Sequence, residues 1–304
     1  MVLKPKLSIN KGDSTMSFYK AINSWVVAGF GGEKTPYEAI EYAASYGLDG
    51  LELTVGDCVN IDTAEDECRK IKAFAEEKNI GLRSVASGFF WGCSLGSPDE
   101  KERNEALVFA KKYLQIAAWL KAESALLIPG AVDVAWDNSR PVVPYTTCWK
   151  QATKSINELL PLAEKLNVNI CLENVWNKFL YSPVEMKAFI EQFNSEKIGC
   201  YFDVGNCMLN GFPQDWIEIL GNKIKAVHFK NWKGEDCGGG LHGFGDDLLE
   251  GDIEFDKILA ALEKINYNGP ITVEMIPFSR LPDLVLPDLE LAEKTAEKLK
   301  SILA

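Results

Sequence analysis

The sequence predicts an α/β protein built as a single closed (β/α)8, or TIM, barrel. Three observations predict it. Eight short apolar runs alternate with eight longer amphipathic runs along 304 residues. The interiors of the short runs are mostly apolar and non-alternating, as parallel strands covered by helices should be. The glycines after the first run, AGFGGEK at 28–34, lack the GxGxxG spacing that a dinucleotide-binding doubly wound sheet would want there, and no Walker motif occurs.

Taken in order, the first 16 residues are polar with Pro and Gly and read as a loose N-terminal extension, leaving 17–304 as the barrel domain. The strand candidates are 18–23, 50–54, 82–87, 124–129, 169–174, 199–203, 225–229 and 271–275. Between and after them, helical patterns cover 35–46, 61–78, 99–121, 145–166, 182–194, 213–220, 253–266 and 287–302. Thr35-Pro36, Ser97-Pro98 and Ser182-Pro183 each look like a capping hydroxyl followed by a proline at the first helical position. Asn79 and Asn167 mark places where a helix stops and a strand begins.

Composition narrows the function. A formal charge of −12, with no local run of Lys and Arg, offers nothing to a nucleic-acid backbone. Eight cysteines in irregular spacing, with no CxxC pair, read as buried thiols of a reducing compartment. The N-terminus has no apolar core of a signal peptide, and no stretch is long and apolar enough for a membrane span, so a cytoplasmic location is expected.

In a barrel, chemistry gathers at the C-terminal ends of the strands. Reading those ends gives Glu52, Glu173, Asp203, His228 and Glu274, the last four on consecutive strands 5 to 8. Three carboxylates in one small cavity repel unless a cation sits among them. Oxygen-rich ligation with one imidazole suits one divalent ion, Mn2+, Mg2+ or Co2+, and Zn2+ less comfortably; Mn2+ is the ion expected.

The segments CLENVWN (171–177), YFDVGN (201–206), KAVHFKNWKG (225–234) and ITVEM (271–275) closely resemble the xylose-isomerase-like superfamily of sugar and sugar-phosphate isomerases and epimerases. The nearest groups are the ketose 3-epimerases and the L-ribulose- or L-xylulose-5-phosphate 3-epimerases. The resemblance implies that Glu173, Asp203, His228 and Glu274 bind one divalent metal. It also implies that Glu173 and Glu274 are the acid/base pair, moving protons through an enediolate that the metal stabilises. Two departures stand out. Asn206 occupies the place where many relatives carry histidine, and Lys230 and Lys233 stand where an arginine is common.

On the substrate side, Trp25, Trp91 and Trp176 are candidate walls for a sugar, and Asn206 a hydrogen-bonding partner. Lys230, Lys233 and Arg280 are candidate cations for a phosphate, and the glycine-rich loop 234–247, with His242, is a candidate lid. Arg83, within the third strand candidate, is a possible counter-charge to the carboxylates. The expected partner is a sugar or sugar phosphate, not nucleic acid or membrane; homo-oligomers occur among the relatives, and the sequence leaves the oligomeric state open. Three rival readings share the fold: an aldose–ketose isomerase, a metal-dependent sugar or inosose dehydratase, and a non-catalytic sugar-binding barrel. A DNA-repair endonuclease of the same barrel type needs several zinc-binding histidines, and this chain has two in all.

Overall fold

The computed structural model describes residues 17–134, 136–234 and 241–304. The extension at 1–16 and residues 235–240 of the glycine-rich loop lie outside the described residues. Eight strands close on themselves in sequence order: β1 (Tyr19–Asn23), β2 (Gly50–Thr54), β3 (Ser84–Ala86), β4 (Ser124–Leu127), β5 (Asn169–Glu173), β6 (Ile198–Asp203), β7 (Ile224–Phe229) and β8 (Pro270–Val273). Every neighbouring pair is parallel, and β8 returns to β1. Among the described residues, no helix is long and apolar enough to cross a membrane.

The strands alternate more strictly than the apolar runs imply. Leu51, Leu53, Val85, Ile170, Leu172, Phe202, Val227, Phe229, Ile271 and Val273 all belong to the large apolar shell between strands and helices. Their neighbours Glu52, Ser84, Ala86, Cys171, Tyr201, Asp203, Ala226, His228 and Thr272 fall on the opposite face, which in a closed barrel is the lumen. That period of two puts an acidic or polar side chain inside the barrel at each of several strands while leaving the shell wholly apolar.

Eight helices follow the expected patterns: α2 (Pro36–Ser45), α3 (Glu65–Glu77), α5 (Glu100–Trp119), α6 (Tyr145–Leu166), α7 (Pro183–Glu191), α8 (Pro213–Leu220), α9 (Phe255–Lys264) and α10 (Leu289–Ile302). Two one-turn helices, α1 (Ser24–Ala28) and α4 (Phe89–Gly92), sit in the loops after β1 and β3. Thr35 and Ser182 both form full capping boxes, with Glu38 and Glu185, ahead of their prolines. Ser97 does not cap α5: the helix begins at Glu100, and Asp99 caps it by accepting the Lys101 N–H, while the Ser97 hydroxyl donates to Glu102 at 2.7 Å. Asn79 and Asn167 both adopt the left-handed conformation, φ 59° in each, that lets asparagine end a helix. Arg83 precedes β3, at the end of the barrel away from the strand-end carboxylates. It pairs there with Glu123 at 2.8 Å and donates to the Asn268 carbonyl, so it does not offset those carboxylates.

Candidate metal centre

Register brings the strand-end residues together. Asp203 pairs directly with His228 across β6 and β7, and Glu173 pairs with Tyr201 across β5 and β6. Glu274 falls one residue past β8, where its N–H donates to the Phe229 carbonyl and continues the ladder. One ligand atom from each of Glu173, Asp203, His228 and Glu274 lies within 4.8 Å of the others. His228 Nδ1 is 3.8 Å from each of Glu173 Oε1, Asp203 Oδ2 and Glu274 Oε2.

Those distances are too long for hydrogen bonds and suit ligands arranged around an ion. His228 Nδ1 has no hydrogen-bond partner although it is buried, and neither does Asp203 Oδ2. A buried polar atom without any partner is costly, and an ion would satisfy His228 Nδ1 while adding to the charge that Asp203 Oδ2 already meets in Lys230. Three carboxylates and one imidazole are a donor set for a hard or borderline divalent ion. The residues therefore fit the metal that the sequence led us to expect.

Lys230 is the second charge in the centre. Its Nζ is 2.6 Å from Glu274 Oε2 and 2.8 Å from Asp203 Oδ2, the latter a close ion pair without hydrogen-bond alignment. The lysine is only 6% exposed. Its stem passes over Gly205, where a Cβ would lie 2.4 Å from Lys230 Cγ, and its ammonium stands 5.5 Å from the centroid of the Phe244 ring. Gly205 has an ordinary helical φ of −77°, so what it supplies is room.

Burial pushes the Glu173 carboxyl up to about 7; the His228 contact opposes this, and the charges of Glu274 and Asp203 reinforce it. Burial likewise raises Asp203, against the pull of Lys230 and His228. For His228, burial favours the neutral ring, but Glu274 and Glu52 outweigh it and hold the imidazole well above its usual value. Without a metal, this centre holds protons where a metal would replace them.

Asn174 and Asn206 fix the frame. Asn174 exchanges two 2.8 Å hydrogen bonds with the Asp203 backbone. Asn206 receives the Trp176 indole N–H on its Oδ1 at 2.8 Å and turns its amide toward the Asn174 carbonyl and Glu173 Oε1. Above them, aromatic rings from five loops meet. Trp176 lies 6.1 Å from Trp91, 5.2 Å from Trp136, 5.9 Å from Phe244 and 6.2 Å from Phe278, centroid to centroid. This roof leaves Glu173 8% and Glu274 5% exposed.

Of the residues expected at the substrate, Trp91, Trp176, Asn206 and Lys230 are thus gathered at the mouth. Trp25 packs on the lumen cluster of Ala86, Leu126, Cys171, Tyr201 and Ala226, and its indole donates to Asp57. Arg280 is taken up by Asp246 at 2.7 Å and Asp288 at 2.8 Å, tying the loop after β7 to the start of α10. His242 is exposed, in a single 3-10 turn, and the Lys233 N–H donates to the Gly243 carbonyl. Sequence reasoning missed Asn174, Trp136, Phe244 and Phe278 as parts of the site. The available signal was position: each lies within about ten to fifteen residues past a strand end.

A closed parallel barrel whose β5 to β8 bring three carboxylates and an imidazole together at their C-terminal ends, as a group that could hold one metal ion, defines a class: TIM barrels with their site at the strand ends. Residues 40–302 match the family model described as Xylose isomerase-like TIM barrel, and the chain belongs to that family. It is 26% identical over 255 residues to the D-psicose 3-epimerase of Ruminiclostridium cellulolyticum, covering 80% of this chain and 78% of that one. It is 24% identical over 140 residues to an inosose dehydratase of Clostridium perfringens, 41% of this chain and 46% of that one. Among solved structures, a D-tagatose 3-epimerase-like protein superposes with a TM-score of 0.75 at 20% identity, covering 94% of this chain and 97% of the other.

Proposed function

We propose that this protein is an enzyme that epimerises or isomerises a ketose or ketose phosphate with the help of one divalent metal ion, Mn2+ being the best candidate. The observation that carries this reading is the placement of Glu173 and Glu274. They arrive from β5 and from just past β8, with β6 and β7 between them, and both point a carboxylate oxygen to within 3.8 Å of the same imidazole nitrogen. Two carboxylates converging from different sides of one cavity are what proton removal from one face of a carbon and return to the other face requires.

Glu173, Asp203, His228 and Glu274 would hold the metal, which when bound supplies Lewis acidity toward a carbonyl oxygen. The rest falls to the chain itself. Glu274, fixed by Lys230, is placed to take the proton beside the carbonyl, giving an enediolate. Glu173, reaching the cavity from β5, would return one to the opposite face. The opposite order serves a substrate of opposite configuration. The aromatic roof excludes water while the proton is in transit. The similarity to a D-psicose 3-epimerase supports epimerisation, and the shorter similarity to an inosose dehydratase keeps loss of water as a possible fate of the same enediolate. A cytoplasmic setting agrees with the seven free, buried cysteines among the described residues.

The test is deuterium uptake from D2O into a panel of ketoses and ketose 5-phosphates with Mn2+ present, comparing the wild type with Glu173→Gln. Exchange that needs both the metal and Glu173 is the expected result, and NMR of the product then separates epimer, isomer and dehydrated sugar. No exchange into any sugar by protein that has bound metal would refute the reading and leave a sugar-binding barrel.

A further inference from the structure

Glu52 lies at the middle of β2, faces the lumen and is fully buried. Its carboxylate is surrounded by donors. Asn23 Nδ2 donates to Oε1 at 2.8 Å, the Tyr201 hydroxyl donates to Oε2, and His228 Nε2 lies 2.7 Å from Oε1. Tyr201 is itself fixed, 3.2 Å from Ser84 Oγ, and its ring packs 4.3 Å from the His228 ring. A buried carboxylate with two oxygens and three neighbours of this kind acts only as an acceptor. The ring nitrogen facing it must therefore carry the proton, which leaves the lone pair of the neutral ring on Nδ1, the atom turned toward Glu173, Asp203 and Glu274.

We propose that Glu52 is a positioning residue of the metal centre: it holds His228 in the form protonated at Nε2, so that Nδ1 alone is the ligand, and its charge strengthens that nitrogen as a donor. Tyr201 and Asn23 hold the carboxylate in place. Nothing else among the described residues fixes the ring by a hydrogen bond, since Nδ1 has no partner. The inference rests on the metal reading of the centre and extends it from the four ligands to the strand on the far side of the barrel.

The chain carries only two histidines, His228 and the exposed His242, so ring nitrogens can be read directly by 15N–1H correlation NMR. The protein is loaded with Mg2+ or Zn2+, which are diamagnetic, and His242→Asn assigns the second set of signals. The expected spectrum shows His228 protonated at Nε2 and metal-bound at Nδ1. Titration calorimetry with Mn2+ should show Glu52→Gln binding about 10- to 100-fold more weakly than wild type. The variant should keep the wild-type circular dichroism spectrum in EDTA, because an amide can still accept from His228 and Asn23. Glu52→Asp keeps the charge but draws it back by one methylene, and should also weaken binding.

Metal found on Nε2, or Mn2+ affinity within twofold of wild type in both variants, overturns the proposal. If Glu52→Gln does not fold, the wild-type spectrum and Glu52→Asp decide it. A wild type that binds no divalent ion refutes the metal centre itself, a different failure from a metal bound to the wrong nitrogen.

Discussion

Replacing Lys230 by methionine keeps the stem and removes the charge. In the metal-free protein, the ammonium is 2.6 Å from Glu274 and 2.8 Å from Asp203, with all three groups almost wholly buried. Breaking a buried ion pair by deleting one partner costs about 3–5 kcal/mol, because the remaining charge is left unpaired. With an unfolding entropy of about 2.1 cal/mol/K per residue, a chain of this length loses roughly 5–8 °C in Tm for that cost. Bound metal supplies positive charge to the same carboxylates, so the loss should be smaller when the ion is present. The thermodynamic cycle then requires Lys230→Met to bind the ion more tightly, tenfold for each 1.4 kcal/mol by which metal reduces the cost. The assay is thermal unfolding of both proteins with EDTA and with saturating Mn2+, alongside calorimetric titration. Equal losses of Tm in both conditions with unchanged affinity would show that Lys230 does not share the charge of the metal's ligands, and the reasoning would fail.

Two further predictions follow from the same centre. Because Glu173 is pushed up to about 7 and His228 is raised as well, the stabilisation these groups give the metal-free fold is complete at low pH. For Glu173 it is lost as pH rises from about 4.5 through about 7, so the Tm of metal-free protein should fall and metal affinity should climb across that window. Calorimetry at pH 6.5 in two buffers of different ionisation enthalpy should detect proton release on metal binding; identical heats in both would contradict it. Separately, Gly205→Ala should cost about 1–3 kcal/mol by crowding the Lys230 stem. Unfolding in EDTA reads this directly, and a Tm within 1 °C of wild type would mean that the stem gives way freely.

Most of the architecture was readable because each level of the sequence agreed with the next. Apolar runs, Ser/Thr-Pro helix starts and asparagines at helix ends all pointed to eight units. The four metal-binding candidates were readable too, since each closes a strand-like run with a residue that a buried strand end does not tolerate without a partner. Other features depended on contacts that local patterns do not carry. Glu52 reads as one more strand-end carboxylate, yet its partners Tyr201 and His228 lie 149 and 176 residues further on. Lys230 reads as a cation near the mouth, and only the room left by Gly205 shows that it sinks among the carboxylates. Arg280 carries no mark in the sequence of its engagement with Asp246 and Asp288. The helices α1 and α4 were invisible because a single turn has no period to read.

The two-residue alternation of the strands also bears on how such a chain can change over time. Positions facing outward, such as Leu51, Leu53, Leu172 and Val227, answer only to the helices around them, and one aliphatic residue can replace another there at modest cost. Positions facing inward, such as Glu52, Tyr201 and His228, answer to one another across the lumen and can change only together. The wall can drift while the centre is held, so relatives of this chain can lose most of their common residues and keep the same shape.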